Sequence, residues 1–281
     1  MLSNGRACLY EFAPYGGKLY ISFAKDERFG KAPMTEEFSF TQNAILRGLA
    51  DEDRSKIVLD GGVQRFDLRG TVYGADQEIE YAYFPLDCVL SVVTLMRDGA
   101  MIEIGTIGHE GTTGIPLIMG GDRTANHAFC QVEGNAWKMS AATFRQLLRE
   151  SEKFRDLMNR YLQAYVNMLG QFTACNRLHS VYERAARWIL MTQDRVGHDT
   201  FPLTHEFLAT MLGSRRSGVT VAAAILQRAG FIHYHRGRIT VLDRVGLEST
   251  ACECYELTTR QFGAALRPLL RVPADAADES A

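Results

Sequence analysis

From residue 204 to residue 242, the hydrophobic and polar positions predict two short helices, a tight turn and a β-hairpin. Thr204 suits a helix N-cap, because its hydroxyl can accept from free backbone N–H groups. Gly213 ends this helix, since glycine tolerates the positive φ of a helix C-cap, and Ser214 is predicted to cap the next helix. The apolar positions of the first helix are Phe207, Leu208, Met211 and Leu212. This order of elements is typical of a winged helix-turn-helix.

The second predicted helix has an apolar stripe and an opposite face of small, polar and cationic residues. The stripe consists of Val219, Ala222, Ala223 and Leu226. The opposite face carries Ser217, Thr220, Ala224 and Arg228, with Arg216 beside the first turn. An Arg there can reach the O6 and N7 acceptors of guanine, and Ser or Thr can bond a phosphate or a base edge. We therefore expect this helix to enter the major groove of DNA.

The hairpin after Gly230 carries an arginine on each side of its turn glycine, Arg236 and Arg238, and is predicted to contact phosphates. Residues 181–248 hold nine Arg against six acidic residues, in a chain whose net charge is −2. Isolated charges are usually only solvated, so a surface role stays open. The predicted DNA-binding residues are Thr204, Ser214, Arg215, Arg216, Ser217, Thr220, Arg228, Arg236 and Arg238.

Residues 57–139 show short apolar runs broken by turns, which predict an antiparallel β-roll with a hairpin turn at Asp98-Gly99. Its glycine-rich stretch could place backbone N–H groups and an arginine around an anion, although such loops are more often plain turns. The candidate effector pocket consists of Gly108, Glu110, Gly111, Arg123 and Thr124.

From residue 141 to about residue 180 the hydrophobic period becomes helical and forms two stripes. One stripe can pack on the roll, and the second needs another partner, so we expect a twofold dimer. A helix buried wholly inside one chain is the alternative. The predicted dimer interface consists of Met158, Leu162, Tyr165, Leu169 and Phe172.

A length of 281 residues corresponds to about two domains. No apolar run approaches the ~20 residues of a membrane span, and the first residues lack the features of a secretory signal. These observations predict a cytoplasmic protein that does not contact membranes.

Six scattered cysteines without CxxC pairs predict reduced thiols. The close pair Cys252 and Cys254 needs two further ligands to hold a metal, and the sequence indicates none nearby. His233 and His235 share a strand face, where a role on the wing surface is favoured over metal binding. We therefore predict no metal site.

The order of roll, long helix and winged helix-turn-helix resembles the Crp/Fnr family of bacterial transcription regulators, from about Ile45 to Cys254. The most specific parts are Met139-Ser140 through Arg149 and the stretch from Leu208 to Gly237. By this resemblance Arg216 matches the base-reading arginine of the family, whereas Ser217 stands where the best-known members carry Glu. Val221 replaces another arginine of those members, so we expect a different operator. The resemblance also implies RNA polymerase as a partner.

The sensory pocket of the family is matched less well. Cyclic-nucleotide-binding members have a Gly-Glu followed by Arg-Ser or Arg-Thr; here His109 interrupts the first and Arg123-Thr124 lies several residues too far along the chain. The cysteine cluster of the iron-sulfur branch is absent, and no haem ligand can be assigned. No cofactor is identified: a cyclic nucleotide is disfavoured, and any small-molecule effector stays unknown.

We therefore predict an α+β protein with an N-terminal antiparallel, cyclic-nucleotide-binding-like β-roll, a long dimerisation helix and a C-terminal winged helix-turn-helix. The expected parts are an N-terminal extension (1–40), the sensor roll (41–140), the dimerisation helix (141–180), the DNA-binding domain (181–255) and a C-terminal tail (256–281). The expected function is that of a dimeric, sequence-specific regulator that binds a double-stranded operator. A ligand-binding module that acts through protein partners is the alternative, and no enzyme chemistry is predicted.

Overall fold

The structure is a computed structural model that describes residues 42–266. Its N-terminal half is an antiparallel roll of two sheets, with the strand orders β1-β7-β3 and β2-β6-β4-β5. The strands are β1 (Gly62–Phe66), β2 (Thr71–Tyr73), β3 (Tyr81–Pro85), β4 (Val89–Leu95), β5 (Met101–Ile107), β6 (His127–Val132) and β7 (Gly134–Ser140). The predicted turn at Asp98-Gly99 joins β4 to β5: Gly99 has a φ of 85°, and the Asp98 carboxylate accepts from the amide of Ala100. The predicted roll is confirmed.

Three short helices accompany the roll and were not predicted: α1 (Ala44–Arg47), α2 (Asp51–Asp60) and α3 (Ile115–Ile118). They are followed by α4 (Ala141–Glu150) and the 27-residue helix α5 (Glu152–Leu178). Ser140 and Ser151 begin these two helices, because each hydroxyl accepts from the backbone amide three residues later. The helical segment predicted from residue 141 is thus two helices with a break at Ser151.

The long helix α5 packs one broad face on its own chain, which corrects the predicted dimer interface. Met158, Tyr165 and Phe172 are at most 4% exposed and belong to the core of the roll. Leu162 and Leu169 are only partly buried, and the exposed Val166 lies on the same side of the helix. The two stripes predicted from the sequence merge into one buried face, so only Leu162 and Leu169 of the predicted set stay accessible to a partner.

The C-terminal half contains α6 (Val181–Val196), β8 (Thr200–Pro202), α7 (His205–Met211), α8 (Arg216–Arg228), β9 (Ile232–His235), β10 (Arg238–Val241), α9 (Arg244–Thr250) and α10 (Cys254–Leu266). Helix α10 replaces the first part of the predicted tail. It packs along α5, and Phe262 and Leu266 bury their side chains there. This helix was not predicted from the sequence. Residues 1–41 and 267–281 lie outside the described part.

The winged half packs directly on the roll. Phe207 of α7 contacts Phe129 of β6 edge-to-face with 6.1 Å between the ring centroids, and it lies at a similar distance from Trp188 of α6. Gly213 lies close to Ile102 of β5: a Cβ atom at position 213 would be only 2.6 Å from the side chain of Ile102. Aromatic packing thus couples the roll to the first helix of the helix-turn-helix. Among residues 42–266, no helix is long and apolar enough to cross a membrane.

Candidate nucleic-acid interface

The turn between α7 and α8 forms largely as its sequence predicts. Thr204 caps α7, since its hydroxyl accepts from the amide of Phe207 at 3.1 Å. Gly213 follows the helix with a φ of 57°, and its amide donates to Thr210 while the amide of Ser214 donates to Ala209. This bonding pattern is a Schellman motif, which requires the left-handed conformation that glycine adopts without strain.

Ser214 does not cap α8, which corrects the predicted role of its hydroxyl. Its amide completes the turn after α7, so the residue lies one position before the helix boundary. Arg215 is the N-cap residue of α8 and makes no side-chain cap bond, while the Ser214 hydroxyl is buried without a hydrogen-bond partner. The first turn of α8 therefore keeps backbone N–H groups that no side chain satisfies.

The face of α8 predicted to meet DNA is exposed. The predicted apolar stripe is buried, with Val219, Ala222, Ala223 and Leu226 at most 8% exposed. The exposed residues of the predicted set on and beside the helix are Arg215, Arg216, Ser217, Thr220 and Arg228. In the described part of the chain, no other element covers this face, so its small and cationic side chains are accessible to a ligand.

One acidic residue from α7 reaches this face. Glu206 lies 3.5 Å from the Nε of Arg216, and both side chains are about two thirds exposed (69% and 70%). An ion pair this open to water is weak and exchanges readily for a phosphate or a base. Arg216 therefore stays available for binding.

His205 connects α7, α8 and the wing. Its Nδ1 lies 3.2 Å from the hydroxyl of Thr220, and its ring stacks on Tyr234 with 4.4 Å between centroids. Partial burial and the nearby charge of Arg216 lower the pKa of His205, so the ring is neutral and can accept from Thr220. This contact sets the position of Thr220 on the exposed face.

The wing is a two-residue hairpin between β9 and β10. Arg236 and Gly237 both have positive φ, at 46° and 74°, as a type I′ turn requires. The amide of Tyr234 donates to the side chain of Gln227 at 2.7 Å, which ties the wing to the end of α8. Arg236 and Arg238 are exposed on either side of the turn, as predicted. His233 and His235 are exposed on the same strand with nearly parallel rings.

The residues of the predicted effector pocket are not brought together. Glu110 pairs with Arg195 of α6 at 2.8 Å, and Gly108 lies against the aliphatic part of the same arginine. Gly111 packs on the hydroxyl end of Tyr161. These three residues serve the junction of the roll with α5 and α6, and the carboxylate of Glu110 is already neutralised.

Arg123 and Thr124 lie elsewhere, beside the loop after β2. The Arg123 guanidinium donates to the carbonyl of Asp76, and the Thr124 carbonyl accepts from the Asp76 amide. The adjacent cavity of about 510 Å³ is lined by Arg123 together with Asp76, Glu78 and Glu80. The acidic side chains of this lining would repel a phosphate. Along the chain, helix α3 lies between Gly111 and Arg123 and separates the two parts of the predicted pocket.

A closed ring of buried polar groups joins the roll to α6. The Ser91 hydroxyl lies 2.6 Å from a carboxylate oxygen of Glu103 and 2.7 Å from the side-chain carbonyl oxygen of Gln131. The hydroxyl has only one proton, so it can donate to only one of these two oxygens. The amide of Gln131 donates to Thr192, which donates to the Trp188 carbonyl. The Trp188 indole then donates to Glu103 at 2.9 Å. All these bonds form together when Glu103 is protonated and donates to Ser91.

Burial raises the pKa of Glu103 to about 7, against the opposing charge of Arg187. The hydrogen-bond ring and the pKa thus agree that Glu103 binds a proton near neutral pH. The sequence did not indicate this ring, because its members come from three strands and one helix.

The structure also supplies two partners for the Cys252 and Cys254 pair. Cys175 and His179, one turn apart at the end of α5, lie beside it, and the four potential ligand atoms are within 4.8 Å of one another. From the sequence, no further ligands for this pair were expected. The signal that could have found them is the four-residue spacing of Cys175 and His179, which places both side chains on one face of a helix.

Residues 183–250 match the family model of the Crp-like helix-turn-helix domain. No curated protein matches the chain.

Several solved structures share the fold. One is a regulator of the crp/fnr family from Eubacterium rectale, with a TM-score of 0.60, 17% identity, and 75% of this chain and 98% of that chain covered. A CRP-family regulator from Thermus thermophilus has a TM-score of 0.57 and 22% identity over 67% and 96% of the two chains. FixK2 from Bradyrhizobium japonicum has a TM-score of 0.60 and 14% identity over 68% and 98%.

The chain therefore shares the fold of these structures, in which a β-roll and a long helix precede a winged helix-turn-helix. Residues 183–250 are a Crp-like helix-turn-helix domain, and the whole fold is similar to that of solved Crp/Fnr regulators.

Proposed function

We propose that the protein is a dimeric transcription regulator that binds a specific double-stranded DNA operator through α8 and the wing. The observation that carries this proposal is the exposed face of α8, on which Arg216, Ser217 and Thr220 follow one another along a helix that no described element covers. Small residues let the helix approach the floor of the major groove, and Arg216 can bond a guanine there.

The wing supplies the phosphate contacts in this proposal. Arg236 occupies a left-handed conformation that an arginine adopts at a cost, in a turn where Asn or Gly is preferred. A cationic side chain retained at such a position is consistent with a functional contact. Arg238 lies on the other side of the turn and adds a second charge for the same backbone.

The dimer is proposed to form along the side of α5 that its own chain leaves accessible. Leu162, Val166 and Leu169 lie on this side, and Val166 is 51% exposed. Pairing the same side of two α5 helices would bury this stripe and place two recognition helices about one helical turn of DNA apart. Contact with RNA polymerase is part of the proposal for a DNA-bound dimer.

A cyclic nucleotide is disfavoured as the effector, because Glu110 is paired with Arg195 and Arg123 faces an acidic cavity. The proposed regulator therefore has no assigned effector. A module acting through protein partners is the competing function, and no contact in the described residues favours it.

Binding of duplex DNA at increasing salt concentration separates the two functions. The regulator releases counterions when its arginines contact phosphates, so its affinity should fall linearly with salt on logarithmic axes. The double variant Arg236→Ala, Arg238→Ala should flatten the slope by about two, one for each lost contact. A protein with no salt-dependent affinity for any duplex would contradict the proposal.

A further inference from the structure

We propose that Cys175, His179, Cys252 and Cys254 form a four-coordinate zinc site that joins the end of α5 to the start of α10. Two ligands come from the last turn of α5, one (Cys252) comes from the segment between α9 and α10, and Cys254 is the first residue of α10. Three thiolates and one imidazole are a common ligand set of structural zinc, which takes four ligands in a tetrahedron.

Two of the distances between ligand atoms are close to those of such a tetrahedron. Bond lengths of about 2.3 Å to sulfur and about 2.05 Å to nitrogen place two sulfurs about 3.8 Å apart, and a sulfur and a nitrogen about 3.5 Å apart. The sulfurs of Cys175 and Cys252 are 3.5 Å apart, and the sulfur of Cys254 is 3.5 Å from Nδ1 of His179. A four-iron cluster would need wider spacing, because each cysteine sulfur binds a different iron.

The surrounding groups are oriented as the partners of zinc ligands are. His179 directs Nδ1 at the cluster, while its Nε2 lies 3.1 Å from the carboxylate of Glu253. A carboxylate on the outer nitrogen fixes the tautomer that leaves Nδ1 free to bind a metal. The side-chain amide of Gln171 donates to the sulfur of Cys254 at 3.0 Å, a bond that stabilises a thiolate.

Charge gives an independent argument for the site. Arg184 and Arg187 are 6% and 3% exposed, and neither forms an ion pair with a carboxylate in residues 42–266. Arg187 stacks on the ring of Phe172. Both Arg187 and Arg184 interact electrostatically with Cys175. Zinc with three thiolates and a neutral imidazole carries one net negative charge. It would therefore place a negative charge beside these two buried cations.

Burial indicates a structural role for the zinc. Cys175 and Cys254 are completely buried and Cys252 is 4% exposed, so four protein ligands leave no open position for a substrate. The ligands flank the winged domain, and the sulfurs of Cys175 and Cys252 connect residues 77 positions apart. Zinc would thus fix the winged domain against the long helix and restrict its movement at the junction after His179.

Cobalt provides a direct test in the full chain. Protein purified under reducing conditions, freed of metal by a chelator and titrated with Co²⁺ alone should bind one ion per chain. The spectrum should show intense visible bands of tetrahedral cobalt and charge transfer from thiolates, and Zn²⁺ should displace the ion. Cys252→Ala should lose these bands, whereas Cys88→Ala, a buried cysteine of the roll, should keep them. A weak octahedral spectrum, or equal binding by both variants, would overturn the proposal.

A surface variant tests the geometry without risk to the fold. Glu253 is 66% exposed, and its replacement by Ala should weaken zinc affinity by about tenfold, because the outer partner of His179 is lost. Glu256→Ala removes the same charge from an exposed position three residues away and should leave the affinity unchanged. Equal affinities of the two variants for zinc would contradict the assigned role of His179.

Discussion

Arg216 begins α8 with most of its side chain in solvent, and Glu206 is its ionic partner among the described residues. Arg238 is exposed on the wing, on the other side of the recognition surface. The first position suits a base edge and the second suits a phosphate, so the two arginines should contribute differently to sequence preference.

Arg216→Ala should lower affinity for the specific operator by about 1 to 3 kcal/mol and change binding to random duplex little, because a bond to a base is lost. Arg238→Ala should weaken both duplexes alike. Fluorescence anisotropy with matched specific and random duplexes measures both effects. The control Glu206→Ala should bind at least as tightly as the wild type, because it removes a negative charge near DNA. Equal losses on both duplexes for Arg216→Ala would remove its assigned role.

Arg236→Gly should separate stability from binding. Glycine adopts the left-handed conformation without strain, so the free energy of unfolding should stay the same or rise by up to about 1 kcal/mol. Affinity for all duplexes should fall, because a phosphate contact is lost. Denaturant titration and DNA binding on the same preparation measure the two effects. If the variant binds DNA as tightly as the wild type does, Arg236 makes no phosphate contact.

At the scale of elements, the ring that includes Glu103 joins strands β4, β5 and β6 to α6. The folded protein keeps the proton on Glu103 up to a pH of about 7, whereas the ordinary value for the group is 4.5. The folded state therefore binds more protons than the unfolded chain between these two pH values, and its stability must fall as the pH rises through this window.

Glu103→Gln provides the measurement, because glutamine resembles the protonated carboxyl. As the pH rises from 4.5 to 7, deprotonation linked to Glu103 should lower the free energy of unfolding of the wild type by up to about 3 kcal/mol, since each unit of raised pKa corresponds to about 1.4 kcal/mol. Above pH 7 this decrease should level off. The difference between the two proteins should therefore change with pH in this window. Parallel curves for the wild type and the variant, by urea denaturation at several pH values, would contradict a protonated Glu103.

The sequence predicted the elements whose signals are local. Thr204, Gly213 and Gly237 mark a cap, a stop and a turn through their own conformational preferences, and the structure has each of these features. Ser214 also carries a cap signal, but the turn after Gly213 uses its backbone before the helix begins. A neighbouring motif therefore overrode the local preference.

What the sequence could not predict depends on contacts between distant segments. The apolar stripes of α5 do not indicate that α10 covers part of the helix, and the predicted tail gave no sign of it. Likewise, Arg123 and Gly108 were predicted to line one effector pocket. In the structure they contact different residues, Asp76 and Arg195. The Cys175 and Cys252 contact spans 77 positions, so the spacing of Cys175 and His179 marks one half of the cluster but does not indicate that Cys252 lies beside it.

At the scale of the whole molecule, the proposed dimer depends on the side of α5 that the chain leaves accessible. Val166→Glu should split the dimer, because two facing charges would be buried in the seam, while the half-exposed position leaves the folded chain intact. The control Asn167→Glu introduces the same charge one residue away, at an exposed position turned from the seam. Sedimentation at micromolar concentration should give a monomer for the first variant and a dimer for the second. A wild type that sediments as a monomer would contradict the dimer.

DNA recognition by α8 can be measured by selecting bound sequences from random duplexes with the purified full chain. We expect enrichment of a twofold-symmetric sequence whose half-sites lie about 34 to 36 Å apart, one helical turn of DNA, because two α8 helices must enter successive major grooves. Arg216→Ala should lose preference at one base pair of each half-site. Recovery of no enriched sequence, with the folded wild type at concentrations that saturate non-specific duplex, would contradict the claim that α8 reads DNA.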